Sequence, residues 1–495
     1  MGAVGSSIYL TRVFYMIRGI VTARFLGPAD YGVWGSLGIL LSYSNLAPLG
    51  SAEAVGREIP YYTQRGEEAR ARSTKELAFS FNLYASLLAS FAILAYALVH
   101  RAHLEPLYYY GLFVVAAGMT LQQLYFFYGI VLRAEKRFVL RSKIEVAYAA
   151  FNVPITILLV VLYGIYGLYA AFVLNLLVIV AYLSFRLRIR PRLSLPRRPL
   201  VELMRIGFPI YLIGLVYTVF ATVDRIVIVK YLSPSDMGFY TIALTLMTVL
   251  GEAPVVVAQV MSPSLIERYS RAKSLDEVFP FVQLPTMAIA CCFPVLLVLT
   301  IFGFEYLVLY VLPRFQPGFA ALEILVLGSF FTGVLRGPSS FLLAVRRQMA
   351  AVLIYAVAVG IAFGLNVSFV KAGYGLEGVA AATAITYAIL LAMYGTYVYS
   401  FFFGRGIAPY LGLFGRILLP FGLSLGFYLG LKWLLPLEGG APVADGFRLL
   451  CKTAIYLLLS APTVYWFLRW YGLWQDLVTR IPWNALRRRL PGGGA

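Results

Sequence analysis

Four arginines fall inside stretches of the chain that are otherwise apolar: Arg12 and Arg18 in the first, Arg225 in the seventh and Arg336 in the tenth. A charge at mid-bilayer costs at least ~2.5–3.5 kcal/mol on insertion scales, so such a residue is expected to face protein or water and to have a task. The task arginine suits is anion capture, because its planar fork of donors matches a phosphate bidentately. Arg336 is expected deepest, roughly 15 Å from the nearer end of its stretch at 1.5 Å per residue. Arg12 and Arg18 sit about 120° apart around a helix, so they flank one space without pointing the same way. Acidic residues in such stretches are Asp224, Glu252 and, nearer the ends, Glu53 and Glu323. Asp224, Glu252 and Glu53 are candidate counter-ions or a cation-coupling site. The structural alternative pairs Arg225 with an acidic group across the two halves, lets Arg12 snorkel to the surface and pairs Glu53 with Arg57 at i,i+4.

The elements that must position these charges are membrane spans. The chain is 61% hydrophobic and 13% charged, against roughly 45–50% apolar and about a quarter charged for a soluble domain. An all-α polytopic membrane protein follows, with about fourteen spans of roughly 20 residues. The apolar runs place them at 4–25, 34–56, 77–100, 107–132, 146–163, 167–185, 207–230, 239–262, 279–302, 318–345, 350–370, 377–403, 413–435 and 447–468. The first shows no cleavable signal pattern and reads as a span.

Lys and Arg crowd alternate connections: 57–75, 133–143, 186–205, 268–273, Arg346 with Arg347, Arg405 with Arg416, and the tail from Arg469. The connections between hold only Arg24, Arg101, Lys230, Arg314, Lys371, Lys432, Arg448 and Lys452. The positive-inside rule then puts both termini in the cytoplasm. That segregation, rather than nucleic-acid binding, accounts for the net charge of +19. Cys291, Cys292 and Cys451 sit in apolar runs and imply no disulfide framework. His100 and His103 lack acidic or cysteine company, so neither metal nor cofactor is implied.

The turn FLGPADYG (Phe25 to Gly32) returns as YLSPSDMG (Tyr231 to Gly238), with Pro28 on Pro234 and Gly32 on Gly238 at an offset of 206. The same offset carries Pro48 onto Pro254 and Arg18 onto Asp224. Such long-range self-similarity marks transporters built from structural repeats. The basic, proline-bearing run Arg186 to Arg198 is the linker. The expected organisation is a first lobe over 1–185 (six spans), a basic linker over 186–206, a second lobe over 207–403 (six spans), two further spans within 404–472, and an interfacial tail over 473–495. Six being even, the repeats are parallel. Pro48 and Pro254 read as kinks, and Gln122 with Gln123 as hydrogen-bonding groups for sugars or for neighbouring helices.

With its six-plus-six repeat, two extra spans, FLGPADYG and YGLEGVAAAT (Tyr374 to Thr383), the chain resembles the Wzx-type polysaccharide flippases of the multidrug/oligosaccharidyl-lipid/polysaccharide exporter superfamily. The resemblance implies two six-helix lobes around a central cavity that moves a polyprenyl-(pyro)phosphate-linked oligosaccharide to the outer leaflet. It also implies Na+ or H+ coupling, membrane lipids and a glycan polymerase or ligase as partners, and the cytoplasmic membrane as location. Arg12, Arg18, Arg225 and Arg336 are then the substrate-binding set. The rival readings are a peptidoglycan-precursor flippase and a cation-coupled multidrug exporter, for which a carboxylate deep in the first span is wanted. A membrane glycosyltransferase or polymerase needs acid/base groups on large outer loops, and the outer loops here are short. No G-x-x-x-x-G-K-[ST] stretch suggests ATP hydrolysis.

Overall fold

The computed structural model describes residues 2–271, 274–404 and 407–472; the tail expected at the membrane surface lies outside them. Among the described residues all regular structure is helical. In chain order the helices are α1 (Gly2–Tyr43), α2 (Ser51–Gln64), α3 (Glu68–Val99), α4 (Pro106–Ala134), α5 (Phe138–Leu187), α6 (Arg197–Phe220), α7 (Val223–Tyr231) and α8 (Pro234–Arg271). They continue as α9 (Phe279–Tyr310), α10 (Phe319–Val334), α11 (Arg336–Ala344), α12 (Gln348–Lys371), α13 (Gly375–Phe403), α14 (Ile407–Leu434) and α15 (Pro442–Trp470). Eleven helical stretches of the described chain are long and apolar enough to cross a membrane as they stand.

Two of the helices double back on themselves. The helix α5 has 50 residues, ~75 Å of axis and far more than one bilayer needs. Gly164 interrupts it at φ 58°, a left-handed backbone that a glycine adopts without steric cost. Beyond that point Gly167 packs against the Leu159 carbonyl, and Asn175 Nδ2 donates to Thr156 Oγ1 at 3.3 Å, so the arms run antiparallel. In α1 the break is Gly27 (φ 76°), followed by Pro28. Its arms are also close, a Cβ at Gly19 standing 3.5 Å from the Tyr31 hydroxyl.

Three segments expected as unbroken spans are interrupted. The second stops at Tyr43, turns through 44–50 with Gly50 at φ 88°, and resumes as α2. The bare Gly50 backbone lets the chain lie against that of Gly207 in α6. The seventh divides into α6 and α7 at Ala221 and Thr222, and the tenth into α10 and α11 at Leu335. Pro338 has no N–H for the Val334 carbonyl, which loosens the helix there. By contrast α8 runs on through Pro254.

The chain forms two compact units: 1–249 with 314–322 and 352–383, and 250–313 with 323–351 and 384–495. In the first, Val33 and Leu37 of α1 pack with Leu112 and Val115 of α4 and Tyr169 of α5. The two copies of the repeated turn meet in this unit, and they meet reciprocally. A methyl on Gly32 would strike the Pro234 carbonyl, and one on Gly238 would strike that of Pro28. The basic run after α5 is anchored by hydrogen bonds at Arg192, while its Ile189 packs against the core. Arg192 Nε donates to Glu76 Oε2 at 3.0 Å, its backbone N–H to Ser80 Oγ, and its carbonyl accepts from the Tyr84 hydroxyl.

In the second unit, α9 is the post against which α14 and α15 stand. The ring of Phe302 lies 5.5 Å from Tyr428 and 5.7 Å from Tyr456, with Lys452 Nζ 4.7 Å above it. Fully buried Lys452 pairs with Glu305 at 2.9 Å, and Lys432 of α14 pairs with Glu323 of α10 at 2.6 Å. The last two helices are thus fastened by charge as well as by shape. Removing one partner of a buried pair strands the other, at about 3–5 kcal/mol. Lys452→Met should therefore lower the melting temperature in detergent, and Lys452→Met with Glu305→Leu should recover most of the loss. A single variant that melts like the wild type would show that the pair contributes nothing.

Candidate functional site

Arg18 lies on the first arm of α1. Its Nη1 donates to Asn152 Oδ1 of α5 at 2.7 Å, and its guanidinium carbon stands 5.2 Å from the Tyr15 ring centre. Both partners are neutral, so the charge is oriented without being cancelled. Among the described residues no carboxylate pairs with Arg18. Arg12 and Glu145 join Arg18 in acting electrostatically on the Tyr15 hydroxyl. The first unit therefore gathers basic side chains from α1 beside tyrosines of α1, α4 and α5.

Arg225 and Asp224 occupy the first turn of α7, at the break. Thr222 Oγ1 donates to the Thr218 carbonyl at 2.8 Å, the local bond by which threonine competes with a helical ladder. The Arg225 N–H, which a continuous helix would aim at Ala221, donates to Asp224 Oδ1 at 2.7 Å. The vacated Ala221 carbonyl then accepts from Arg225 Nη2 at 2.7 Å. Arg225, expected to bind substrate, and Asp224, expected as a counter-ion or coupling group, are thus also what completes the interrupted backbone. Arg225 Nε stays buried without a hydrogen bond. Buried Asp224 also accepts from the Tyr240 hydroxyl, which lies 3.4 Å from Thr383 Oγ1. The Tyr43 hydroxyl at the end of α1 is 2.8 Å from Thr222 Oγ1, so two helix breaks touch.

Arg336 is the first residue of α11 and half-buried, in the second unit. The helix runs nearly continuous past it, since the Leu335 N–H donates to the Phe331 carbonyl and the Leu335 carbonyl accepts from Ser339. Glu53 stands in the first turn of α2, where the helix dipole favours a carboxylate. Glu252 is half-buried on α8 in the second unit. Glu323, near a span end, is taken by Lys432 and Tyr428. The sequence reasoning passed over Asn152 and the tyrosines. Asn152 carries no charge to flag it, although an amide buried in an apolar run needs a partner.

Among solved structures the chain resembles the lipid II flippase MurJ in an inward closed conformation, with a TM-score of 0.71 and 14% identity over 97% of this chain and 100% of that one. It also resembles an inward-facing multidrug resistance MATE family transporter of the MOP superfamily, with a TM-score of 0.63 and 16% identity over 81% and 95%. A MOP superfamily transporter from Pyrococcus furiosus, described by the reversed polarity of its binding pocket, follows at 0.57 and 14% over 83% and 95%. At such identities the likeness shows a shared all-α membrane fold. No curated protein matches the sequence. Residues 21–311, more than half the chain, match the model of the polysaccharide biosynthesis protein family, and the chain belongs to that family.

Proposed function

We propose that this protein is a flippase that carries a polyprenyl-(pyro)phosphate-linked oligosaccharide from the cytoplasmic to the outer leaflet by alternating access. The observation that carries this reading is Arg18, deep in an apolar helix and held by the neutral Asn152. A guanidinium so placed keeps its charge for a ligand, and a phosphate can take two of its donors. Membership of a polysaccharide biosynthesis family supplies the cargo class. Arg12, Arg18, Arg225 and Arg336 are the substrate-binding set in this reading, and Asp224, Glu252 and Glu53 serve as counter-ions or couple a Na+ or H+ gradient. Without polar surroundings, each unpaired sugar hydroxyl would cost several kcal/mol in hydrocarbon. The second reading, a peptidoglycan-precursor flippase, is favoured by the full-length likeness to the lipid II flippase.

The fold is read as fourteen crossings: α1 gives the first and, with α2, the second; α5 gives two; α6 with α7 and α10 with α11 give one each. Both termini are then cytoplasmic. Single cysteines at Ala29 and Ser194, both exposed, should label from opposite faces in a cysteine-free background, Ala29 from outside. Labelling of both from one face would refute this topology.

Replacing Arg18 or Arg336 by alanine should abolish surface glycan in a flippase-deleted host at matched protein levels. Lysine should restore part of it, since it keeps the charge and loses the fork. Full export by both alanine variants would end the substrate-binding assignment. Rescue of lipid II flippase depletion without glycan export would favour the second reading.

Alternating access requires the two repeated turns, on the outer face in this topology, to part during the cycle. A Cβ at Gly35 would stand 3.2 Å from that of Thr241, near the ~3.8 Å of a disulfide. Gly35→Cys with Thr241→Cys should transport when reduced and stop when oxidised. Transport at the wild-type rate with the bridge formed would exclude a parting of these turns.

A further inference from the structure

Resting on the reading of the chain as a flippase for an anionic glycolipid, we propose that Tyr15, Tyr125 and Tyr148 form a sugar-stacking subsite beside Arg18. The cargo's phosphate meets the guanidinium while its first sugar lies against the tyrosine rings.

The three rings come from three helices, α1, α4 and α5. Those of Tyr125 and Tyr148 stand 5.5 Å apart, tilted by 39°. Tyr15 is the ring beside the Arg18 guanidinium. Asn152, one turn along α5 from Tyr148, connects the parts: its Oδ1 accepts from Arg18 at 2.7 Å, and its Nδ2 lies 3.5 Å from the Tyr148 hydroxyl. Tyr125 and Tyr148 sit at one level, ~14 Å and ~15 Å along their helices from the α4–α5 connection. Between them and that connection lies the Arg141–Glu145 ion pair at 2.7 Å. Phosphate-binding, aromatic and charged groups therefore succeed one another along these helices.

Tyr125 and Tyr148 pack against the core that Phe127 and Tyr128 help to form, but packing takes up only part of each ring. Phe127 and Tyr128 of the same helix are fully buried, whereas Tyr15, Tyr125 and Tyr148 each stay partly open. An open ring in a cluster containing Arg12, Arg18, Arg141 and Glu145 has polar company, which a lipid-facing surface would not tolerate. Nor do the rings serve the phosphate, since an aromatic face is negative. A pyranose fits them better. Its axial C–H groups carry partial positive charge and meet the ring face, while its hydroxyls find tyrosine hydroxyls, which both donate and accept. Stacking reads the shape of a sugar more than its identity, which suits a carrier that must also release its load.

Isothermal titration of the purified full chain in detergent, with farnesyl pyrophosphate and with farnesyl-pyrophosphoryl-N-acetylglucosamine, tests the proposal. The wild type should bind the glycosylated ligand several-fold more tightly. Tyr125→Ala with Tyr148→Ala should erase most of that advantage and change farnesyl pyrophosphate affinity by less than twofold. The Phe counterparts should keep most of it. An unchanged elution profile and melting temperature show that the variants fold. An advantage that survives in the alanine variant, no advantage in the wild type, or equal weakening of both ligands overturns the subsite. Failure of the wild type to bind either ligand overturns the anionic-lipid reading and the subsite with it. Arg18→Ala should weaken both ligands, which separates phosphate from sugar.

Discussion

Inside hydrocarbon a peptide group has no water to bond, so every departure from a helix must find its partners within the protein. The helix breaks of this chain are departures of that kind. At Ala221 and Thr222 the ladder opens, and the side chains of Thr222, Asp224 and Arg225 supply the missing donor or acceptor. In the first unit the openings also meet. Tyr43 touches Thr222, and Gly50 lies against Gly207. Breaks grouped in this way confine irregular backbone to protein surroundings and leave lipid-facing surfaces helical.

The same constraint explains what could be read from sequence. Length, apolarity and charge segregation are statistical properties of whole spans, so the all-helical membrane fold was legible. So were the turns at Gly27 and Gly164, because glycine beside proline, or closely followed by glycine, announces them. The break at Thr222 was not legible, as Val-Phe-Ala-Thr-Val carries neither breaker, and the opening depends on side chains whose use is set by context. Arg18 could be singled out by its charge alone. Its holder Asn152, 134 residues away along the chain, could not. The aromatic rings were passed over because tyrosine is common throughout this sequence and only the fold separates open rings from buried ones.

Charge is held in two contrasting ways. In the second unit, basic side chains are spent against carboxylates: Lys452 on Glu305, Lys432 on Glu323, and Arg448 on Glu438 and Asp445. The two lysine pairs tie α15 to α9 and α14 to α10 and leave no net charge of their own behind. In the first unit Arg18 is steadied by an amide and an aromatic ring, an arrangement that fixes direction and preserves charge. Number and depth of arginines do not distinguish a structural cation from one available to a ligand; the chemistry of the holder does.

The meeting of Gly32 with Pro234 and of Gly238 with Pro28 has the form of an isologous dimer contact, each surface serving as both ligand and receptor. Copies joined in this way cannot drift independently. A side chain gained at Gly32 is answered by a carbonyl that belongs to the other copy, and the reverse holds at Gly238. Loops around the turns are free to diverge, as FLGPADYG and YLSPSDMG have, while the proline and glycine that touch are kept in step. The suppressors of a mutation at Gly32 are therefore expected around Pro234, 202 positions on, and those of one at Gly238 around Pro28, 210 positions back.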